Sequence, residues 1–328
     1  MTNRFRAAYA AALLVCLGAE QAVAVEPAGN YPTRPVRIVA PFAAGGLADV
    51  LARALGDKLR TRLGQAIIVD NRPGAGGNIG ADIVAKAEPD GYTLLMSSAG
   101  ILTINASLYG RMPFDPAGAF APVSLVADMS MLCVVNSSSP TRSVGDLIAA
   151  AKKDPERLNF GSPGNGTTGH LGMELFQHAA GVKLTHVPYK SAAEVTLAIV
   201  GNQINGSFDN PPTVLPHIRS GSLRALAVAA PARLEVLPDV PTFSESGLKG
   251  FEASSWFGVV APAKLPRPLL DRLNREIAAA LHEKDIQKRF DNLGARLVGN
   301  TPVEFDGYIR AERVKWSGVV KAAGIKLD

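Results

Sequence analysis

The stretch YPTRPVRIVAPFAAGGLADVLARALGDKLRTRLGQAIIVDNRPGAGGNIG, residues Tyr31 to Gly80, lays down two strand–glycine loop–helix units back to back. Val36 to Pro41 is a short apolar run that stops at Ala44-Gly45-Gly46, and Leu51, Leu55, Leu59 and Leu63 then recur at helical spacing. Ala66 to Asp70 is the next apolar run and breaks at Asn71-Arg72-Pro73-Gly74-Ala75-Gly76-Gly77 before a second helical segment. Glycines let a backbone approach a ligand closely, and the free N–H groups of a helix start favour an anion. Two such loops on neighbouring parallel strands make one concave, anion-attracting rim.

Outward from there, strand-like runs alternate with helical patterns to the end of the chain, which predicts an α/β class with mostly parallel sheets. The further strand runs are Thr93 to Ser97, Leu132 to Asn136, Leu158 to Gly161, Leu184 to Val187, Ile204 to Asp209 and Arg224 to Ala229. Helices are expected over Val144 to Lys153 and from the Ser162-to-Thr168 loop to Ala180. Thr301-Pro302-Val303-Glu304 is a capping box with proline at the first helical position. Two extended apolar segments, Pro122 to Val135 and Ser254 to Pro262, lie where a chain could cross between domains.

At 328 residues, 47% hydrophobic and 19% charged, the chain is globular and long enough for about two domains. Arg4 and Arg6, an apolar stretch from Ala7 to Ala19, and Ala22-Val23-Ala24 form an export-signal pattern, with cleavage expected after Ala24. The stretch is short for a membrane span, and Val15 before Cys16 argues against a lipoprotein signal. Removing it takes away two basic residues and one acidic residue, so the formal charge falls from +5 to +4. Basic and acidic residues are interspersed and no polybasic run of the nucleic-acid kind occurs. Of the two cysteines only Cys133 remains, in an apolar run that reads as buried core.

PFAAGGLAD, NRPGAGGNIGA and EPDGYTLLMSSAG resemble the Bug-type extracytoplasmic solute receptors of tripartite tricarboxylate transporters. APVSLVA, FGSPGNGTTGH, HVPYK, FDNPP and the run from Trp256 to Pro262 resemble the same family in the same order, over essentially the whole chain after residue 30. The resemblance implies a two-lobed periplasmic binding protein fold of the type II kind, with parallel-rich sheets flanked by helices and a ligand cleft between the lobes. It implies a discontinuous first lobe, residues 30–127 plus 256–328, and a second lobe of residues 128–255, after a signal peptide of residues 1–24. It further implies a periplasmic, non-enzymatic, monomeric receptor that captures a small organic acid, without a cofactor, and delivers it to the membrane subunits of the transporter. A ligand sensor for a signalling kinase, or a secreted α/β hydrolase or lyase acting on a carboxylate, would be the alternatives.

The ligand-binding candidates come from the loops. Phe42, Ala43, Gly45 and Gly46 belong to the first, Gly76, Gly77 and Asn78 to the second, and Ser98 ends the third strand run. Spacing alone favours tight strand–helix corners as the role of Gly45, Gly46, Gly76 and Gly77; the resemblance favours ligand contact through their backbone N–H groups. Ser162, Gly166, Thr167 and Thr168 belong to a loop with P-loop spacing, but Thr167 stands where a phosphate-binding lysine would be, so a carboxylate or hydroxyl suits it better than a nucleotide. Lys190 could offset ligand charge or form a surface ion pair. Asp209, with Asn210, could meet a hydroxyl, an ammonium or water. Asp49 is a candidate of a different kind: a carboxylate aimed at an anion would repel it, so capping its own helix or tying down the loop is expected. His170, His178, His186, His217 and His282 show no metal-ligand spacing, and no G-x-S-x-G nucleophile elbow occurs.

Two departures from the family pattern, Leu47-Ala48 before Asp49 and Ser191-Ala192-Ala193-Glu194 after Lys190, fall where the distal end of a ligand should lie. The identity of the acid is therefore not legible in the chain.

Overall fold

A computed structural model describes residues 30–155 and 157–327, and the fold below is that of the unit Pro32–Asp328. The export-signal reading, with cleavage after Ala24 and with Cys16, lies outside the described residues. Among those described, no helix is long and apolar enough to cross a membrane.

The first half of the chain runs β1 (Val36–Ala40), α1 (Leu47–Leu63), β2 (Ile67–Asn71), a 3₁₀ turn (Ala75–Gly77), α2 (Asn78–Ala85) and β3 (Thr93–Ser98). A π-helical turn (Gly100–Ile104), α3 (Asn105–Leu108), β4 (Phe120–Ser130) and β5 (Leu132–Asn136) follow. Then come α4 (Val144–Lys153), β6 (Asn159–Ser162), α5 (Thr168–Ala180), β7 (Thr185–Pro188), α6 (Ala192–Val200), β8 (Gly206–Asp209), α7 (Pro211–Arg219) and β9 (Leu223–Val228). β10 (Ser254–Pro262), α8 (Arg267–Leu281), α9 (Lys284–Asp291), β11 (Arg296–Leu297) and α10 (Pro302–Ala323) complete it. The leucine stripe read from the sequence is the buried face of α1, and the predicted capping box closes the start of α10.

The strands form two sheets flanked by helices, in the orders β11-β4-β10-β3-β1-β2 and β7-β6-β8-β5-β9. Both are mixed, not mostly parallel. β1 pairs in parallel with β2 and β3, but β10 runs antiparallel to β3 and β4; β6 pairs in parallel with β7 and β8, but β5 runs antiparallel to β8 and β9. The reason is topological. β5, on entering the second sheet, and β10, on returning to the first, each arrive from the other sheet without a helical crossover, so neither need run parallel to its neighbours.

β5 shows how the second sheet is held. Leu132 and Val134 join Val195, Ile199 and Val214 under α6 and α7, whereas Cys133 and Val135 join Phe160, Phe176 and Phe208 under α5. Period-two alternation buries both sets, each large apolar side chain worth roughly 1.5–3 kcal/mol relative to exposure. Cys133 is fully buried, as expected, and its burial pushes the thiol pKa up.

The chain changes sheet at a short hydrogen-bonded crossing. The N–H of Met131, between β4 and β5, donates to Ala253 O at 2.9 Å; Ala253 N–H donates to Ala229 O and Ala229 N–H to Met131 O. A third connection was not foreseen. Phe305 and Ile309 of α10 pack with Trp256 and Val260 of the first sheet, whereas Trp316 and Val320 belong to the core under α5. Between them the buried Glu312 accepts both indole N–H groups on one oxygen, from Trp256 at 3.2 Å and Trp316 at 2.7 Å, while its other oxygen faces Lys315 Nζ at 3.0 Å.

Candidate ligand cleft

The C-terminal ends of strands from both sheets open onto a cleft of about 190 Å³, the place where open α/β sheets present ligand sites. Phe42, Gly76 and Ser98 line it from the first sheet, and Gly166, Thr167 and Thr168 from the second. These are six of the sequence candidates. Thr168 Oγ1 lies 2.7 Å from Ser255 Oγ on β10, a polar bridge between the two sides.

The other candidates stand behind the lining and build it. Asp49 accepts the Gly45 N–H at 2.9 Å and pairs with Arg53 at 2.9 Å; the Arg53 guanidinium first, then the Gly45 N–H, hold its carboxyl below the usual range against the opposing effect of burial. It ties down the loop but does not cap α1, whose N-cap is Gly46 with no side-chain bond. Gly46 N–H donates to Ala43 O at 3.2 Å, and Gly77 N–H to Gly74 O at 2.9 Å. The expected use of backbone N–H groups is thus corrected for Gly45, Gly46 and Gly77: the loops spend them internally. Ala43 accepts one of these bonds and does not line the cleft.

The second loop needs its glycines for space as well as direction. Gly76 has φ +63°, and a Cβ there would stand 2.8 Å from Tyr109 Oη. Asn105 Nδ2 donates to Gly76 O at 3.2 Å and to Asn78 Oδ1 at 2.7 Å, so Asn78 braces the loop from behind.

In the second half, Ser162 Oγ donates to Gly164 O and sits 2.6 Å from His186 Nε2, which keeps it out of the lining. Thr167 Oγ1 donates to Gly164 O and accepts the His170 N–H as the cap of α5. Lys190 is exposed, with its N–H on Glu194, and stays outside the cleft. Asp209 is fully buried behind the wall; burial raises its carboxyl to about 7, opposed by the Asn210 N–H at 2.7 Å, and Asn210 itself lines the cleft.

Sequence reasoning missed Asn105, Leu108, Tyr109, Ser255 and Leu327, all of which line the cleft. The first three follow the π-helical turn, a distortion that recurs at functional sites and has no simple sequence signature. Leu327 arrives from the far end of the chain, its N–H on Leu108 O at 2.8 Å and its backbone bridged to Tyr109.

Among the described residues no Lys, Arg, His, Asp or Glu lines the cleft. Its walls are hydroxyls, carboxamides, rings and two helix starts: α5 at Thr168 offers N–H groups that attract negative charge, whereas α7 opens with Pro211 and Pro212, which have no N–H, and offers only the positive end of its dipole. A larger groove of about 510 Å³ runs between α5 and α10, but no strand-end loop reaches it. Among the described residues no cluster of three His, Cys, Asp or Glu side chains could hold a metal ion.

Comparison with known proteins agrees with this architecture. Protein BugT of Bordetella pertussis is 40% identical over 301 residues, 92% of each chain. The structure of Rhodopseudomonas palustris Rpa4515 with adipate matches with a TM-score of 0.82 and 38% identity, covering 90% of this chain and 99% of that one. MatC (Rpa3494) from Rhodopseudomonas palustris with bound malate matches with a TM-score of 0.78 and 31% identity, covering 88% and 100%. The model of the tripartite tricarboxylate transporter family receptor, TctC, matches residues 51–325. With two sheets, a cleft at their strand ends and these relatives, the chain belongs to the TctC receptor family of tripartite tricarboxylate transporters.

Proposed function

We propose that this chain is a periplasmic receptor that captures a small carboxylate in the cleft and passes it to the membrane subunits of a tripartite tricarboxylate-type transporter. The observation that carries the reading is the cleft itself: without a charged side chain among its described lining residues, faced by the N–H end of α5 and several side-chain donors, and built at the strand ends of both sheets. A carboxylate there meets dipoles instead of a counter-ion. Each charge-assisted hydrogen bond contributes about 1.5–3 kcal/mol, so three or four supply much of the roughly −8 kcal/mol of a micromolar complex. The relatives solved with adipate and with malate support a small organic acid as the ligand class.

The lobes are taken as residues 30–127 plus 256–328 and residues 128–255, with α10 reaching from the first onto the second. Ligand would contribute contacts to both only when they close. The protein is exported by its N-terminal signal, works as a monomer and turns nothing over. The test is a thermal-shift screen of the purified protein against adipate, malate and aromatic carboxylates, followed by calorimetry. Saturable binding with the acid recovered unchanged supports the proposal; no response to any carboxylate, or conversion of a bound one, refutes it.

A further inference from the structure

Behind the cleft wall two imidazoles stack face to face, His170 of α5 on His186 of β7, with ring centroids 3.8 Å apart and planes 7° from parallel. Each ring is tied to the loop that carries Asn165, Gly166 and Thr167 into the cleft. Gly166 N–H donates to His170 Nδ1 at 3.1 Å, and Ser162 Oγ lies 2.6 Å from His186 Nε2. His170 is buried, and Gly166, at φ +73°, presses against Leu108 across the cleft, where a Cβ would stand 2.3 Å from Cδ1. The loop therefore has one direction of approach, and His170 sets it.

We propose that His170 is a positioning residue for ligand capture: its unprotonated Nδ1 holds the Gly166 N–H and so fixes the second-half loop of the cleft, with His186 stacked behind it as a brace. This rests on the reading of the cleft as the ligand site. Because Nδ1 accepts, the proton of the neutral ring sits on Nε2, which faces Glu174 Oε1 at 3.6 Å.

The titratable groups around His170 are Glu174 on its own helix and His186 from β7. β8, also packed on α5, contributes Asp209, and α10 contributes Lys315 and Glu312, which pair with each other. Burial, with the neighbouring His170 adding to it, lowers His186 to about 4, so His186 stays a neutral brace.

Asparagine places Oδ1 where histidine has Nδ1, so His170→Asn keeps the acceptor, whereas His170→Phe keeps the stacking and removes the acceptor. With adipate as the probe, calorimetry at neutral pH should show His170→Asn binding as wild type does and His170→Phe binding about tenfold more weakly. A second readout needs no ligand: Gly166 amide exchange should be slow in wild type and His170→Asn and fast in His170→Phe. Equal Gly166 protection in all three proteins overturns the inference even if no acid binds. Adipate affinities that match in all three proteins overturn it while leaving the carboxylate reading intact.

Discussion

Replacing Glu312 separates the geometry of its carboxylate from its charge. One oxygen accepts two buried indole N–H groups and the other faces Lys315, whose side chain is 30% exposed. In Glu312→Gln the amide oxygen can take the place of the shared acceptor, keeping both indole bonds and losing only the partly exposed ion pair, at a cost of about 0–1 kcal/mol. In Glu312→Leu, similar in size, both indoles lose their acceptor. Leaving a buried donor unsatisfied costs roughly 1–3 kcal/mol, so the pair amounts to roughly 2–6 kcal/mol. Urea denaturation followed by circular dichroism measures both variants against wild type. A loss below about 1 kcal/mol in the leucine variant, or equal losses in the two, would refute the account, because then the shared acceptor is not what stabilises the junction.

Gly76→Ala should lose about 1–2 kcal/mol from the left-handed backbone alone and weaken binding further by displacing Tyr109; unchanged affinity in a folded variant would remove Gly76 from the cleft wall. Asp49→Asn retains the acceptor for Gly45 and should keep most carboxylate affinity, whereas Asp49→Ala should weaken it, and calorimetry on the two distinguishes loop tethering from ligand contact. The depressed Asp49 pKa means its stabilisation is present above the unfolded value of 3.8 and lost as pH falls through the lower folded value, so Asp49→Asn should flatten acid denaturation in that window. Asp209 has the opposite sign. Its folded carboxyl is raised to about 7 from 3.8, so the unfolded state releases the proton first and stability falls as pH rises between those values. Asp209→Asn should abolish that slope in denaturation midpoints measured across the window, and an unchanged slope would assign it to another group.

The strands and the order of loops were legible because short apolar runs end at glycine or proline and because α1 shows its leucines at one spacing. Sheet membership was not. Pro122 to Val135 reads as one extended segment, yet it is β4 and β5, two strands of different sheets, and nothing in a local pattern names a strand's partner. β11 is two residues long and carries no periodicity at all. At the cleft, the sequence located the loops but not the direction of their donors, since Gly45, Gly46 and Gly77 look like open N–H groups until the bonds to Asp49, Ala43 and Gly74 are seen. Tyr109 and Leu327 meet in the cleft from positions far apart in the chain, through a backbone bridge that only the tertiary fold creates.

The place of β10 has a consequence for the order of assembly. It lies between β4 and β3, so the first sheet has no middle strand until Ser254–Pro262 emerges, long after β1 to β4. Until then β3 and β4 present unpaired edges, the kind that invite mispairing. The strands of the second sheet all fall within residues 132–228, and its face under α6 and α7 is completed by Ala230, Leu234, Leu237 and Val240, all before β10. Shorter loop closures should let that sheet form first, leaving the outer half of the chain to close around it. Pulse-labelled hydrogen exchange during refolding is expected to protect amides of β5 to β9 before those of β3 and β10; protection of both sets in a single phase would contradict that order.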